Sequence, residues 1–327
     1  MRVDCGLSEP SSYTCTNEYP FFNPEISINS GQMFLWEKHG ISWYGIYGKH
    51  VLKIFNSNPV ILSAERESDK EDNNCEMQFS SYPHFHRWER HVFRLSDNLR
   101  EIFSCFSGDI LVSESINKYP GLRLMRQEPF QCMISFACAS NTNILMIRRM
   151  LKNLCRKFGN GVIIDGKEFF TFPSIDRLNR ASHQELRQCG LGYRTKAVKA
   201  VTESIVNGSL DIHCLLRLHY EDAKNELMKV YGIGNKVADC ILLFSLEKLD
   251  SFPIDVWMAR VLRQNYKWLF NNKLESSRMR DRKVFEKVTA HEYRFLSNNA
   301  REYFGKYCGY AQQYLFYNIR QNAGKKW

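Results

Sequence analysis

Residues 227–255 read LMKVYGIGNKVADCILLFSLEKLDSFPID and leave the chain few ways to fold. A helical pattern runs into Gly232-Ile233-Gly234, breaks there, restarts at Lys236 and stays apolar to about Leu249. A turn at Pro253 then delivers a carboxylate, Asp255. Two helices joined by so short a glycine link form a hairpin, and the second begins with amides that no earlier turn can satisfy. Those N–H groups, with the positive end of the helix dipole, suit a phosphate. Glycine lets a backbone approach closely or take a positive φ. Gly232, Gly234 and the amide of Val237 are therefore the expected phosphate grip. A hairpin of this kind points to nucleic acid and by itself says nothing of catalysis.

The rest of the chain is consistent with such a partner. Net charge is +10, from 45 basic and 35 acidic residues, a surplus that suits a polyanion. Residues 64–75 (AERESDKEDNNC) concentrate acidic groups, so the remainder is more basic than the total implies. At 327 residues the chain can bury one large core or two to three smaller ones, and 44% hydrophobic with 24% charged residues reads as globular. No long uncharged apolar run and no apolar leader at the start argue for an intracellular protein without a membrane segment. The 11 cysteines are odd in number, form no C-x-x-C pair and fall partly in apolar helical patterns. Reduced, mostly buried thiols are expected, with no metal and no cofactor.

Residues 1–20 are polar and read as loosely ordered. GQMFLW, ISWYGIYG and KHVLKIF, from Gly31 onward, read as short strands, and the alternation over residues 50–55 as half-buried. Residues 56–75 read as a loop. After Tyr82-Pro83 the pattern turns helical. From Leu122 it is almost wholly helical hairpins, with helices expected over 131–139, from Ile144 to Gly159, after the capping box Ser182-x-x-Glu185, over 196–206, 221–230 and 256–266, and a last long one over 298–321. The fold class is α+β: an N-terminal antiparallel sheet domain with helices over residues 1–118, then an all-helical body over 119–327 carrying the hairpin at 221–249.

Lys236 is the candidate nucleophile. A neutral amine can attack the sugar carbon of a flipped nucleotide, and desolvation and the positive end of a helix both favour the neutral form. Taken alone it is a solvated helix-start lysine or a phosphate contact; Asp255, nineteen positions on, reverses those odds. A carboxylate folded back beside the lysine stabilises positive charge on the sugar and moves protons. Asp is also a favoured N-cap, and the two roles are compatible. VYGIGNKVADC followed by FPIDV resembles the helix-hairpin-helix DNA glycosylases, most closely the eukaryotic-type 8-oxoguanine DNA glycosylases, over residues 28 to 321.

That resemblance implies roles for further residues. GYAQQYLF (309–316) looks like the family's base-pocket helix: Gln312 and Phe316, four apart on one face, read the base edge and stack on the ring, with Cys240 on the opposite wall. Gly31 matches the glycine whose carbonyl accepts the extra N7 hydrogen of 8-oxoguanine, where guanine has only an acceptor. Asn141, in CASNTN, fills the gap left by the flipped base. Tyr193, in GLGYRTK, wedges into the stack, and Arg194 contacts the estranged cytosine. Read singly, these are core residues, a turn glycine, a helix N-cap (Asn141) and a surface aromatic (Tyr193). In two places the chain departs from the pattern: Met146 stands where a second cytosine-reading Arg is usual, which weakens the preference for cytosine, and Trp257 stands where a phosphate-holding His is usual.

The resemblance implies a monomeric nuclear base-excision enzyme acting on duplex DNA with oxidised guanine, a glycosylase with lyase activity. The competing readings are a relative for another damaged base, a non-catalytic DNA-binding module in which Lys236 is merely basic, and a helical scaffold without a DNA role.

Overall fold

A computed structural model describes residues 13–16, 22–56, 76–270 and 288–324. The acidic run at 64–75 and most of the basic stretch at 267–290 lie outside them. A five-stranded antiparallel sheet forms from β1 (Tyr13–Thr16), β2 (Trp36–His39), β3 (Ser42–Tyr47), β4 (His50–Asn56) and β5 (Glu76–Tyr82), in the order β1-β5-β4-β3-β2. Helices α1 (Pro24–Ile28), α2 (Trp88–Val92), α3 (Leu99–Ser104) and α4 (Ile110–Lys118) surround it in sequence. The body follows: α5 (Pro129–Cys138), α6 (Ile144–Phe158), a hairpin of β6 (Gly161–Ile164) and β7 (Lys167–Phe170), then α7 (Ile175–Arg180), α8 (His183–Gln188), α9 (Thr195–Val206), α10 (Ile212–Arg217), α11 (Tyr220–Met228), α12 (Asn235–Ser245), α13 (Val256–Asn265), α14 (Ala290–Phe304) and α15 (Cys308–Asn322).

The sheet is buried on both faces. Trp43, Ile54 and Phe79 pair across β3, β4 and β5 and pack with Trp36, Trp88 and Phe93 in one core. Tyr44, Ile46 and Val51 point the other way, into the core of the helical body. This is why residues 50–55 do not alternate as expected: Val51, Leu52 and Ile54 have no exposed surface. GQMFLW is not a strand either. Pairing begins at Trp36, because Gln32 is already committed, its Nε2 donating to the Arg123 carbonyl (2.8 Å) and its Oε1 accepting from Met125 N (2.7 Å).

Four features differ from the sequence reading. β1 lies in the stretch expected to be loose, and β5 was not expected at all. The body is mainly rather than wholly helical: Asp165 and Gly166, both at positive φ, close the β6–β7 turn. That turn clasps the sheet, with Asp165 paired to Lys53 at 2.6 Å and Phe169 stacked on Tyr44. The expected long helix at 298–321 is two, α14 and α15, with a corner at Gly305 (φ +68). No helix among the described residues is long and apolar enough to cross a membrane. Among the described residues eight cysteines are free thiols, six of them buried.

Candidate active site

α11 and α12 flank the glycine link as the sequence requires. Gly232 sits at φ +89, and a Cβ there would lie 2.4 Å from the Ala197 Cβ on α9. Glycine is needed twice at this position, for the backbone and for the contact. Gly234 differs from the expectation. Its φ is −95, and a Cβ would meet nothing within 4 Å. The space above it is open, and neither the backbone conformation nor the packing requires a glycine here. The first ladder bond of α12 runs from Ala238 N to Gly234 O (2.9 Å). The amides of Asn235, Lys236 and Val237 therefore lie ahead of the ladder, and a glycine N-cap gives them no side-chain acceptor.

Lys236 occupies the first turn of α12 and is half-buried. Its ammonium lies 5.0 Å from the centroid of the Phe136 ring on α5, a favourable cation–π placement. Cys240 follows one turn later and is 3% exposed. Burial pushes its thiol up to about 11 against the pull of nearby Lys236. At neutral pH it is a protonated, weakly polar wall.

Asp255 caps α13. One carboxylate oxygen accepts from Trp257 N and Met258 N, each at 2.9 Å. Burial pushes its pKa above the usual carboxylate value and outweighs the Met258 amide, Lys236, the Trp257 amide and Arg320, all of which pull it down. Capping holds the carboxylate within electrostatic reach of Lys236. The Trp257 indole carries the guanidinium of Arg260 at 4.7 Å and that of Arg320 at 5.7 Å, and Arg320 lies 5.9 Å from the Phe316 ring.

α15 brings Gln312 and Phe316 to the same place. Gln312 is buried, and its Nε2 donates to the Pro253 carbonyl at 3.1 Å. That bond fixes which end of the amide is which. Its Oε1 is buried with no hydrogen-bond partner among the described residues. Next to it, Gln313 Nε2 donates to the Ser30 carbonyl at 2.9 Å. The bond ties the loop of Gly31 (φ +83) to α15.

Close packing at the start of α15 sets this arrangement. Gly309 N donates to Leu249 O at 2.9 Å, and a Cβ on Gly309 would stand 2.2 Å from Leu243 Cδ1 and 2.9 Å from that oxygen. Gly309→Ala is expected to cost about 1–3 kcal/mol by overpacking, read as a lower denaturation midpoint in urea. An unchanged midpoint would show that α15 shifts freely.

Asn141, Tyr193 and Arg194 form a second cluster. The Ser140 carbonyl accepts from the Tyr193 hydroxyl (3.0 Å) and from Arg194 Nε (3.0 Å) and Nη2 (2.6 Å). The Arg194 guanidinium stacks on the Tyr193 ring at 4.5 Å. Asn141 is exposed at φ +48 and is not the helix N-cap; Asn143 is, accepting from Met146 N at 3.0 Å. Tyr193 is 61% exposed, with Leu145 (72%) and Met146 (41%) exposed on the neighbouring α6.

Sequence reasoning missed Asp239 and its partners Lys224, Tyr220 and Tyr293, all buried on α11, α12 and α14. The signal was an aspartate inside VADCILLFS: a carboxylate in a wholly apolar run must have buried partners.

Residues 14–133 match the model of the 8-oxoguanine DNA glycosylase N-terminal domain, and residues 134–287 that of the HhH-GPD superfamily of base excision DNA repair proteins. A probable N-glycosylase/DNA lyase of Methanothermobacter thermautotrophicus is 29% identical over 253 residues, 71% of this chain and 74% of that protein. The N-glycosylase/DNA lyase OGG1 of Arabidopsis thaliana is 32% identical over 244 residues, 71% of this chain but only 63% of that protein, less than two thirds of its length. The crystal structure of the Clostridium acetobutylicum 8-oxoguanine glycosylase/lyase with double-stranded DNA containing cytosine opposite 8-oxoguanine is similar at a TM-score of 0.74 and 26% identity, over 92% of this chain and 93% of that one. With the two family models matched in order over residues 14–287, the chain belongs to the 8-oxoguanine DNA glycosylase family of the helix-hairpin-helix superfamily.

Proposed function

We propose that the protein is a bifunctional DNA glycosylase/AP lyase that removes 8-oxoguanine opposite cytosine from duplex DNA. The observation that carries this reading is the proximity of Lys236, Cys240 and Asp255, close enough to act on one another electrostatically, with Gln312 bonded to the Pro253 carbonyl two residues before Asp255. The open amides at the start of α12 grip the backbone phosphate, with Gly232 setting the turn and Gly234 keeping the approach clear. The flipped base stacks on Phe316. Gln312 Oε1 accepts from its Watson–Crick edge, and the Gly31 carbonyl accepts the N7 hydrogen that only the oxidised base carries. Tyr193, Asn141 and Arg194 occupy the gap and face the orphaned cytosine.

The Lys236 amine adds to C1′ as the C1′–N9 bond breaks, and the base leaves with the glycosidic electron pair and a proton. Asp255 stabilises the positive charge that builds on the sugar. Ring opening gives a Schiff base between Lys236 and C1′. Loss of a 2′ proton then expels the 3′ phosphate by β-elimination, with the freed base as proton acceptor. The enzyme works as a monomer on duplex DNA, in the nucleus by resemblance to the eukaryotic-type enzymes.

The reading is tested with duplexes carrying 8-oxoguanine, an alkylated purine or an oxidised pyrimidine. Release of 8-oxoguanine with a strand break is expected. Preferential release of another base would redirect the reading to that lesion.

Met146 gives a sharper expectation. It is half-exposed on α6 beside the Arg194 cluster and offers no hydrogen bond to cytosine. The wild type is expected to discriminate weakly between cytosine and other bases opposite the lesion. Met146→Arg is expected to raise the preference for cytosine about tenfold, within the range a good bidentate contact supplies. An unchanged ratio of excision rates would show that residue 146 does not face the orphaned base.

A further inference from the structure

Lys236 and Asp255 sit on different elements, α12 and the turn before α13, and the chemistry needs them in fixed relation. One turn along α12 from Lys236 stands Asp239, with no exposed surface. Its Oδ2 accepts from Lys224 Nζ at 3.0 Å and from the Tyr293 hydroxyl at 2.6 Å; its Oδ1 accepts from the Tyr220 hydroxyl at 2.6 Å. The Tyr293 oxygen in turn accepts from the backbone amide of Ile254 at 3.2 Å. Ile254 is the residue immediately before Asp255. The Ser251 hydroxyl, at the start of the same turn, donates to the Asp239 carbonyl at 2.9 Å.

A buried ion pair of this kind seldom outperforms packed hydrophobic residues in stability. What it supplies is geometry. Each bond is short and directional, and together they run from the helix of the lysine to the residue preceding the carboxylate. We propose that Asp239 and Tyr293 form a positioning bridge that sets the Lys236-to-Asp255 geometry, with Ser251 as its second tie. The inference rests on the glycosylase reading above. Neither residue touches the substrate: the bridge acts through the two that do, and misplacement of reacting groups by a fraction of their spacing is costly to rate.

Tyr293→Phe and Tyr220→Phe make a matched test. Each removes one hydroxyl from Asp239 and keeps the ring, but only Tyr293 reaches the Asp255 turn. Single-turnover base release from an 8-oxoguanine duplex, duplex affinity and melting temperature are measured for both variants. Both are expected to lower the melting temperature and leave affinity unchanged. Tyr293→Phe is expected to slow base release about tenfold to a hundredfold, and Tyr220→Phe less than about threefold. Ser251→Ala is expected to slow release in the same direction by less. Equal rates for the two phenylalanine variants, or rates that follow melting temperature, would overturn the bridge. Should Tyr293→Phe not fold, Ser251→Ala against Tyr220→Phe decides on the same terms. A wild type that releases no 8-oxoguanine contradicts the glycosylase reading instead, which keeps the two failures apart.

Discussion

Lys236→Gln is expected to slow base release and strand cleavage by about 10⁴-fold or more while leaving duplex affinity close to that of the wild type. Glutamine keeps much of the side-chain volume beside Phe136 and Cys240 and cannot form an imine. The phosphate grip comes from backbone amides at the start of α12, which the substitution leaves in place. Binding and chemistry therefore separate in one variant. If the variant binds and still cleaves, another amine does the work. If affinity collapses with activity, Lys236 is mainly a phosphate contact and the non-catalytic module gains ground.

Asp255→Asn is expected to move stability and activity in opposite directions. Burial raises the folded-state pKa of this carboxyl despite Lys236, Arg320 and two backbone amides. A group of this kind contributes stability fully below the unfolded carboxylate range of about 4, and that contribution is lost as pH rises through the raised folded value. Asparagine removes the ionisable group and remains a good N-cap for α13. The variant is thus expected to melt higher than the wild type at neutral pH, with the difference shrinking as pH falls toward about 4. Base release is expected to fall by about 10²- to 10⁴-fold, the usual range for a positioned acid–base group. Thermal melts across that pH range, beside single-turnover rates, check both halves. A variant that melts lower at neutral pH would show that the ionised carboxylate is held favourably by its cationic neighbours.

How much of this is legible in the sequence depends on how local the signal is. The hairpin, the Asp255 cap and the Ser182–Glu185 capping box each rest on residues within a few positions of one another, and each stands where it was expected. Gln312 and Phe316 were singled out by family resemblance and share a helix face by their spacing, but the bond that orients Gln312 comes from Pro253, on another element. Elements set by distant partners were missed. β5 shows a single fully buried residue, Phe79, among Met77, Ser80 and Ser81, too faint a pattern until β4 lies beside it. Gly305 and the Asp165-Gly166 pair were readable turn signals, overlooked inside long helical patterns. Asp239 announced itself as a carboxylate in an apolar run. Lys224, Tyr220 and Tyr293, which satisfy it, come from two other helices, and no spacing rule connects them.

The measurement that tests the central claim most directly is identification of the residue that carries the covalent adduct. The wild type is treated with borohydride on a duplex with one 8-oxoguanine opposite cytosine, and the trapped complex is digested and mapped by mass spectrometry. The adduct is expected on Lys236 alone. An adduct on the N-terminal amine or on another lysine, or base release with no adduct at all, would contradict the assignment of Lys236 as the nucleophile.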